Sequence, residues 1–403
     1  MKINIILFLF VILNSNAFAD SKPIILGQSA PFTGPSAQFG RQMWLGAQTY
    51  FDEVNRHGGV HGRKIIVEAR DDQYDVDLAQ KNTAELLKNS DLFALFGYVG
   101  TPTLLKALPE LQKAREKGAE VFLFSNRSGA NQQRSAPLDS IVYNIRPSYA
   151  EETETLVSYL ASKNKKKIAV FIQDDSYGES GRDGVKKALD KRGLSIFAEA
   201  KYKRGAAVTE SMKTQAELIK SKGADAVVCI ASYGAAAGFI RDLRDLNFDG
   251  PIANISFVGS SDMLQLLKSE GEKNKKDYSP NLVNSQVVPP MTDTSVALVK
   301  EYLELSEKHA VSVPEYISHH EVVRKISFTG LEGFLNAKAF VEILKHAEEP
   351  LSPASFRKVT DAGVKVDAGL GEPLNFTKGS PEALHKVYLS QIADGKFVVL
   401  KSE

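Results

Sequence analysis

A chain of 403 residues, with 50 Lys and Arg against 49 Asp and Glu and a formal net charge of +1, lacks the basic footprint of a nucleic-acid binder. It is longer than one hydrophobic core usually fills, so two domains are expected. Its one cysteine, Cys229, excludes an internal disulfide and leaves the fold to be held by its cores.

The N-terminal segment bears on compartment. Lys2, the apolar run at residues 3–13, and Ala17 and Ala19 ahead of Asp20 form the pattern of a cleavable secretory signal. The run is shorter than the about 20 residues that a membrane span needs. Residues 1–19 are therefore expected to be a signal peptide and the mature chain periplasmic. A lipid anchor would need a cysteine at the cleavage point, where Asp20 stands, so none is expected.

Strands are expected at residues 24–29, 64–70, 93–97 and 121–125, alternating with helices at 42–56, 77–88 and 104–117. The first helix places Met43, Ala47, Tyr50, Phe51 and Val54 at helical spacing. A break near Val142-Tyr143-Asn144-Ile145-Arg146-Pro147 reads as a chain crossing between units. The rhythm then resumes with helices at 151–163, 181–192, 209–222 and 235–246 and strands at 167–173, 195–200, 226–231 and 251–255. In the strand at 226–231, Cys229 reads as a small buried hydrophobe. The charged, Gly-interrupted residues 268–276 read as a surface loop. A second crossing falls at residues 284–290. Beyond it come a helix with Glu301, Glu304 and Glu307 on its polar face, a long apolar helix at 328–345, and a closing hairpin of 387–392 and 396–400 turned at Asp394-Gly395. Strands alternating with helices of this length define an α/β fold, a parallel sheet with helices on both faces in each unit.

Such sheets bind ligands beyond the carboxyl ends of their strands. After the first strand lies a Pro- and Gly-containing loop, residues 29–40, in which Phe39 offers an aromatic face. After the third come Gly97-Tyr98-Val99-Gly100-Thr101-Pro102-Thr103, where Thr101 or Thr103 opens a helix that suits both an N-cap and a bound anion. After the fourth, Ser125-Asn126-Arg127-Ser128-Gly129-Ala130 forms a hydroxyl and glycine turn. Arg127 there can pair with a ligand carboxylate or with the lobe surface. In the second unit, Tyr177 is expected over the cleft mouth, with Tyr233 and Phe257 after later strands.

Together with Ala30-Pro31-Phe32-Thr33-Gly34, Asn55-Arg56-His57-Gly58-Gly59-Val60-His61-Gly62-Arg63, Asp71-Asp72, Asp175-Ser176-Tyr177-Gly178, Gln286-Val287-Val288-Pro289 and Leu331-Glu332-Gly333-Phe334, these segments span nearly the whole mature chain. The chain resembles the leucine/isoleucine/valine-binding protein family, the amino-acid-type periplasmic solute-binding components of ABC transporters. The resemblance implies two lobes joined by three hinge crossings, residues 20–146 plus 289–368 and 147–288 plus 369–403, closing on a small-molecule ligand. It implies an ABC transporter permease as partner, a monomer, no cofactor and no catalysis. It also implies a carboxylate anchor at Thr101 and the Ser128-Gly129 turn, with Tyr177 covering the ligand and Phe39 facing it.

One departure is chemical. Where amino-acid binders of the family carry an acid for the ligand ammonium, this chain reads Ser256-Phe257-Val258-Gly259, and an unpaired ammonium in a closed cleft is costly to desolvate. The expected ligand is therefore a carboxylate without the amine, its body against Phe39, Tyr177, Tyr233 and Phe257, unless a distant acid such as Glu332 supplies the charge. Other chemistries fare worse. Asp71, Asp72, Asp75 and Asp77 read as loop and cap residues rather than a cation site. His319-His320-Glu321 lacks the spacing to converge on zinc, and no nucleophile elbow, P-loop or dinucleotide fingerprint is present. A sensory partner of a membrane receptor or kinase is the alternative use of the same fold, ahead of a secreted hydrolase.

Overall fold

Near-continuous apolar runs dictate where the sheets form. The computed structural model describes residues 22–309, 311–377 and 382–400, so the expected signal segment lies outside the described residues. The first series is β1 (Ile24–Ala30), α1 (Ala37–Arg56), β2 (Ile65–Asp71), α2 (Val76–Leu86), β3 (Leu92–Val99), α3 (Thr101–Glu116), β4 (Leu123–Arg127) and β5 (Val142–Tyr143). Its strands pair in parallel in the order β2-β1-β3-β4-β5. The central β3, Leu-Phe-Ala-Leu-Phe-Gly-Tyr-Val, is buried along its length, as a strand covered on both faces must be.

The second series is α4 (Tyr149–Ser162), β6 (Ile168–Gln173), α5 (Ser176–Asp190), β7 (Ala198–Tyr202), α6 (Lys213–Lys222), β8 (Ala226–Ile230), α7 (Tyr233–Asp245), β9 (Ile252–Asn254), α8 (Ser260–Asn274) and β10 (Leu282–Gln286). A capping box between Ser148 and Glu151 starts α4, directly after the first crossing. The chain continues through α9 (Ala297–Lys308), α10 (Glu315–Ser318), α11 (Phe328–Lys345), α12 (Pro353–Ala362), β11 (Val364–Val366), β12 (Leu374–Phe376), β13 (Tyr388–Ala393) and β14 (Lys396–Leu400). The second sheet runs β14-β13-β10-β9-β8-β6-β7, parallel except for the final hairpin. That hairpin turns at Asp394 and Gly395, both at positive φ, the backbone that a tight two-residue turn requires.

Each sheet has its own core. Phe93, Phe96, Phe122 and Phe124 pack with Phe340 of α11 and Phe356 of α12, so the chain returns to the first lobe after β10.

The structure corrects three expectations. Residues 268–276 are helical through Asn274, because Glu270 joins Arg241 at 3.0 Å and Lys273 at 2.8 Å and ties the end of α8 to α7. Helix α1 starts at Ala37, earlier than residue 42, so Phe39 rides on its first turn and not on a loop. Gly40 permits this, since a Cβ there would lie 2.1 Å from the Pro31 carbonyl oxygen. Leu374, Phe376 and Leu384 still pack in the first core, so the last passage to the second sheet falls between Leu384 and Tyr388 rather than at 368/369.

Candidate functional site

The first turns of four helices bring one side chain each to the space between the lobes. Phe39 opens α1, Tyr149 begins α4, Tyr177 lies at the start of α5, and Tyr233 begins α7. Tyr74, in the loop after β2, and Phe257, in a single turn after β9, complete the ring cluster. Phe39 of the first lobe lies 4.9 Å from both Tyr233 and Phe257, centroid to centroid. Phe257 in turn meets Tyr177 at 4.6 Å and Tyr74 at 6.4 Å, and Tyr149 meets Tyr177 at 5.5 Å. With the lobes shut, these rings are buried.

Local chemistry fixes the rings. Asp175 caps α5 by accepting from the Tyr177 amide at 3.0 Å, and the Tyr177 hydroxyl donates to the Ala231 carbonyl at 3.2 Å. Asp71 accepts from the Phe32 and Thr33 amides at 2.7 and 3.2 Å, and Asp72 accepts from Ser29 Oγ at 2.8 Å and the Tyr74 amide at 2.9 Å. Asp75 caps α2. The aspartates thus organise the loop that presents Tyr74. Burial pushes the Asp72 carboxyl up to about 7 against those hydrogen bonds.

Beside the rings stands a set of hydroxyls. Thr101 Oγ1 and Ser128 Oγ share a hydrogen bond at 2.8 Å, and the Tyr149 hydroxyl is 3.4 Å from Thr101 Oγ1. The Thr101 hydroxyl does not cap α3, and the first-turn amides of a helix have no intrahelical acceptor. The Thr101–Ser128–Tyr149 corner therefore combines hydroxyls with a positive helix terminus, a fitting place for an anion. Gly129 supports it by close approach, since a Cβ there would lie 2.7 Å from the Tyr149 backbone nitrogen.

Beneath lies a buried ionic network. Arg127 pairs with Glu332 of α11, and Arg146 of the first crossing pairs with Glu332 at 3.2 Å and with Glu152 of α4 at 2.9 Å. All four side chains are at most 3% exposed. Glu152 also accepts from the Ser256 amide at 2.7 Å and from Ser285 Oγ at 2.6 Å, and Arg127 Nη2 donates to the Ser256 carbonyl at 3.1 Å. Burial lowers the Arg127 pKa in spite of Glu332. At Arg146 burial acts in the same direction, but Glu332 and Glu152 together outweigh it and raise the value. Two cations face two anions, and the Arg127 guanidinium carbon lies 5.3 Å from the centre of the Phe39 ring and 5.4 Å from that of Phe257.

Of the residues expected to bind, Phe39, Tyr177, Tyr233 and Phe257 come together as rings, and Thr101, Ser128 and Gly129 as the hydroxyl corner. Tyr177 sits deep in the cluster rather than over its mouth. Thr103 is turned away, its hydroxyl donating to the Val99 carbonyl at 2.6 Å. Arg127 neither faces solvent nor reaches free into the cleft, because Glu332 holds it. Tyr74, Tyr149, Arg146 and Glu152 were not expected. Tyr149 and Arg146 flank the first crossing, and Tyr74 follows the end of β2, which is the signal by which strand-end reasoning could have found it.

Two α/β lobes that meet through rings and hydroxyls near strand ends and helix starts, over an ionic network drawn from β4, the first crossing, α4 and α11, define the two-lobed type I solute-binding fold. The chain belongs to the periplasmic binding protein family, whose family model matches residues 23–396. It is 28% identical over 233 residues to the Leu/Ile/Val-binding protein homolog 3 of Brucella melitensis, covering 57% of this chain and 60% of that protein. It is 24% identical over 415 residues to homolog 8 of Brucella suis, covering 98% and 94%. A possible leucine/isoleucine/valine-binding protein from Rhodopirellula baltica superposes with a TM-score of 0.82 at 26% identity, over 95% of this chain and 97% of that one. A branched-chain amino acid ABC transporter protein from Thermus thermophilus with bound valine superposes with a TM-score of 0.79 at 17% identity, over 95% and 96%, a likeness of fold.

Proposed function

We propose that this protein captures a small organic acid lacking a free ammonium between its lobes and delivers it to an ABC transporter permease. The carboxylate would sit on Thr101, Ser128 and the Tyr149 hydroxyl, with the body among Phe39, Tyr177, Tyr233 and Phe257. One observation carries the reading: beside the rings, Glu332 is engaged by Arg127 and Arg146 and Glu152 by Arg146, while Asp175 is taken up by the Tyr177 amide and the Gln173 side chain. Glu332, the acid able to rescue an amino-acid ligand, thus already has two cations. A further ammonium would compete with them in a buried setting. The fold accommodates different ligands, since the Thermus thermophilus protein holds valine and a neighbour from Thermomonospora curvata, with a TM-score of 0.79 at 22% identity over 94% of this chain and 92% of that one, is named a fatty acid ABC transporter substrate-binding protein.

Calorimetry with leucine, valine and their deaminated acid analogues tests the reading. Binding of the analogues in preference to the amino acids is expected, and tight binding of the amino acids with none of the analogues overturns it. We further propose that the mature chain starts at Asp20 in the periplasm. N-terminal sequencing of secreted protein that still carries Met1 would refute that.

A further inference from the structure

A groove of about 520 Å³ opens where α8, the β13–β14 hairpin, and residues 290–292 and 324–328 meet. That volume falls within the ~300–1,000 Å³ of small-molecule sites. Its apolar walls come from both lobes: Leu264, Phe397 and Val399 from the second, Met291, Ile326 and Phe328 from the first. Phe328 and Phe397 meet edge-on across the lobes, centroids 5.4 Å apart. Val398 and Val399 of β14 are 43% and 41% exposed, an unusual placement for two adjacent valines on an edge strand. The charge is one-sided. Lys268, Arg324 and Lys396 line the groove, and among the described residues that line it none is acidic. Arg324 hydrogen-bonds Gln265 and pairs with Asp262 at 3.5 Å, an acid that does not itself line the groove, whereas Lys268 and Lys396 stand along its wall.

We propose that this groove is a second ligand site, taking an amphipathic monocarboxylate whose apolar body lies on Leu264, Met291, Phe328 and Phe397 and whose carboxylate meets Lys268, Arg324 and Lys396. Given the two-lobed binding function proposed above, a molecule held by walls from both lobes favours their shut arrangement and couples this site to the ring cluster. Three cations on a wall lined by no acid, with Arg324 alone paired from outside it by Asp262, select a carboxylate over a neutral amphiphile of equal length.

Octanoate is the probe, titrated by calorimetry into the mature chain carrying Thr101→Val, which removes the proposed cleft anchor, and into the same chain with Lys268→Glu or Lys268→Glu/Arg324→Gln added, with 1-octanol as the uncharged control. Lys268 is exposed and Arg324 half-buried, so folding should survive, and a thermal melt of each variant checks it. Octanoate affinity is expected to fall about tenfold in the single charge variant and about a hundredfold in the double one, and to exceed that of octanol. Any of three results overturns the proposal: no octanoate binding to the Thr101→Val chain, equal binding of octanol, or no loss on adding the Lys268 and Arg324 substitutions. None of these bears on the organic-acid reading, which the leucine and valine analogues test in the unaltered chain, so the two failures are distinguishable.

Discussion

The ring of Phe39, on the first lobe, meets that of Tyr233, on the second, edge-on with centroids 4.9 Å apart and planes at 75°, while the Gln38 amide donates to the Tyr233 hydroxyl at 3.3 Å. Such an aromatic pair contributes about 0.5–1.5 kcal/mol beyond its buried area, and here it joins lobes that must also part to admit a solute. Gly259 makes the approach possible. It sits at φ 70°, and a Cβ on it would lie 2.7 Å from Phe39 Cε1 and 3.5 Å from Tyr233 Cδ1.

Gly259→Val should therefore hinder closure, and at φ 70° it should also lower the melting temperature, because a β-branched residue rarely adopts that backbone. Small-angle scattering with a verified ligand is expected to give a smaller radius of gyration for the unaltered chain, as hinge closure requires, and little change for the variant. Equal compaction in both would show that Phe39 yields freely.

Thr101→Val removes a hydroxyl from the Thr101–Ser128–Tyr149 corner and keeps the shape. A hydrogen bond to a charged group contributes roughly 1.5–3 kcal/mol, so ligand affinity should fall about ten- to a hundredfold by calorimetry, with the melting temperature nearly unchanged. An unaltered affinity would move the anchor elsewhere.

Removing Glu332 tests the ionic network. Glu332→Ala leaves Arg127 and half of Arg146 unpaired in a buried site, and breaking such a pair destabilises by about 3–5 kcal/mol. Glu332→Leu combined with Arg127→Met should recover much of the loss. Urea denaturation of both variants measures it, and a loss under about 1 kcal/mol in Glu332→Ala would mean that water or a rearranged Glu152 relieves the arginines.

Asp72 gives the fold a pH dependence of its own. Its pKa is raised by burial from 3.8 to about 7, so the folded chain holds this proton more tightly than the unfolded one. Stability from this group is then present in full below about pH 4, declines as pH rises toward about 7, and is lost above it, a change on the order of a few kcal/mol. Asp72→Asn should flatten the melting temperature between pH 5 and 7. A profile identical to that of the unaltered chain would assign the dependence to other groups.

Much of this was legible because it is written locally. Strands β3, β6 and β8 announce themselves as apolar runs, the helix expected at 328–345 matches α11, and Asp394-Gly395 marks the hairpin. The rule that ligands sit at strand ends singled out loops whose residues Thr101, Ser128, Tyr177 and Tyr233 the structure brings to the space between the lobes. It could not foresee which side chains meet across the lobes. Arg127 finds Glu332 205 residues away, and Ser256 finds Glu152 104 residues away, through hinge geometry that no local spacing encodes. The misread end of α8 has the same origin, since Glu270 needs Arg241 from α7 to stay helical.

The lone thiol has a practical consequence. Cys229 lies fully buried in β8, and burial pushes its pKa up, so the nucleophilic thiolate is scarce as well as shielded. One cysteine introduced on the outer face of each lobe would therefore react with maleimide dyes without any native residue being removed first. A donor and acceptor placed in this way convert the approach of the two lobes into an optical signal, which makes the protein a ready scaffold for a single-molecule sensor of whatever solute shuts it.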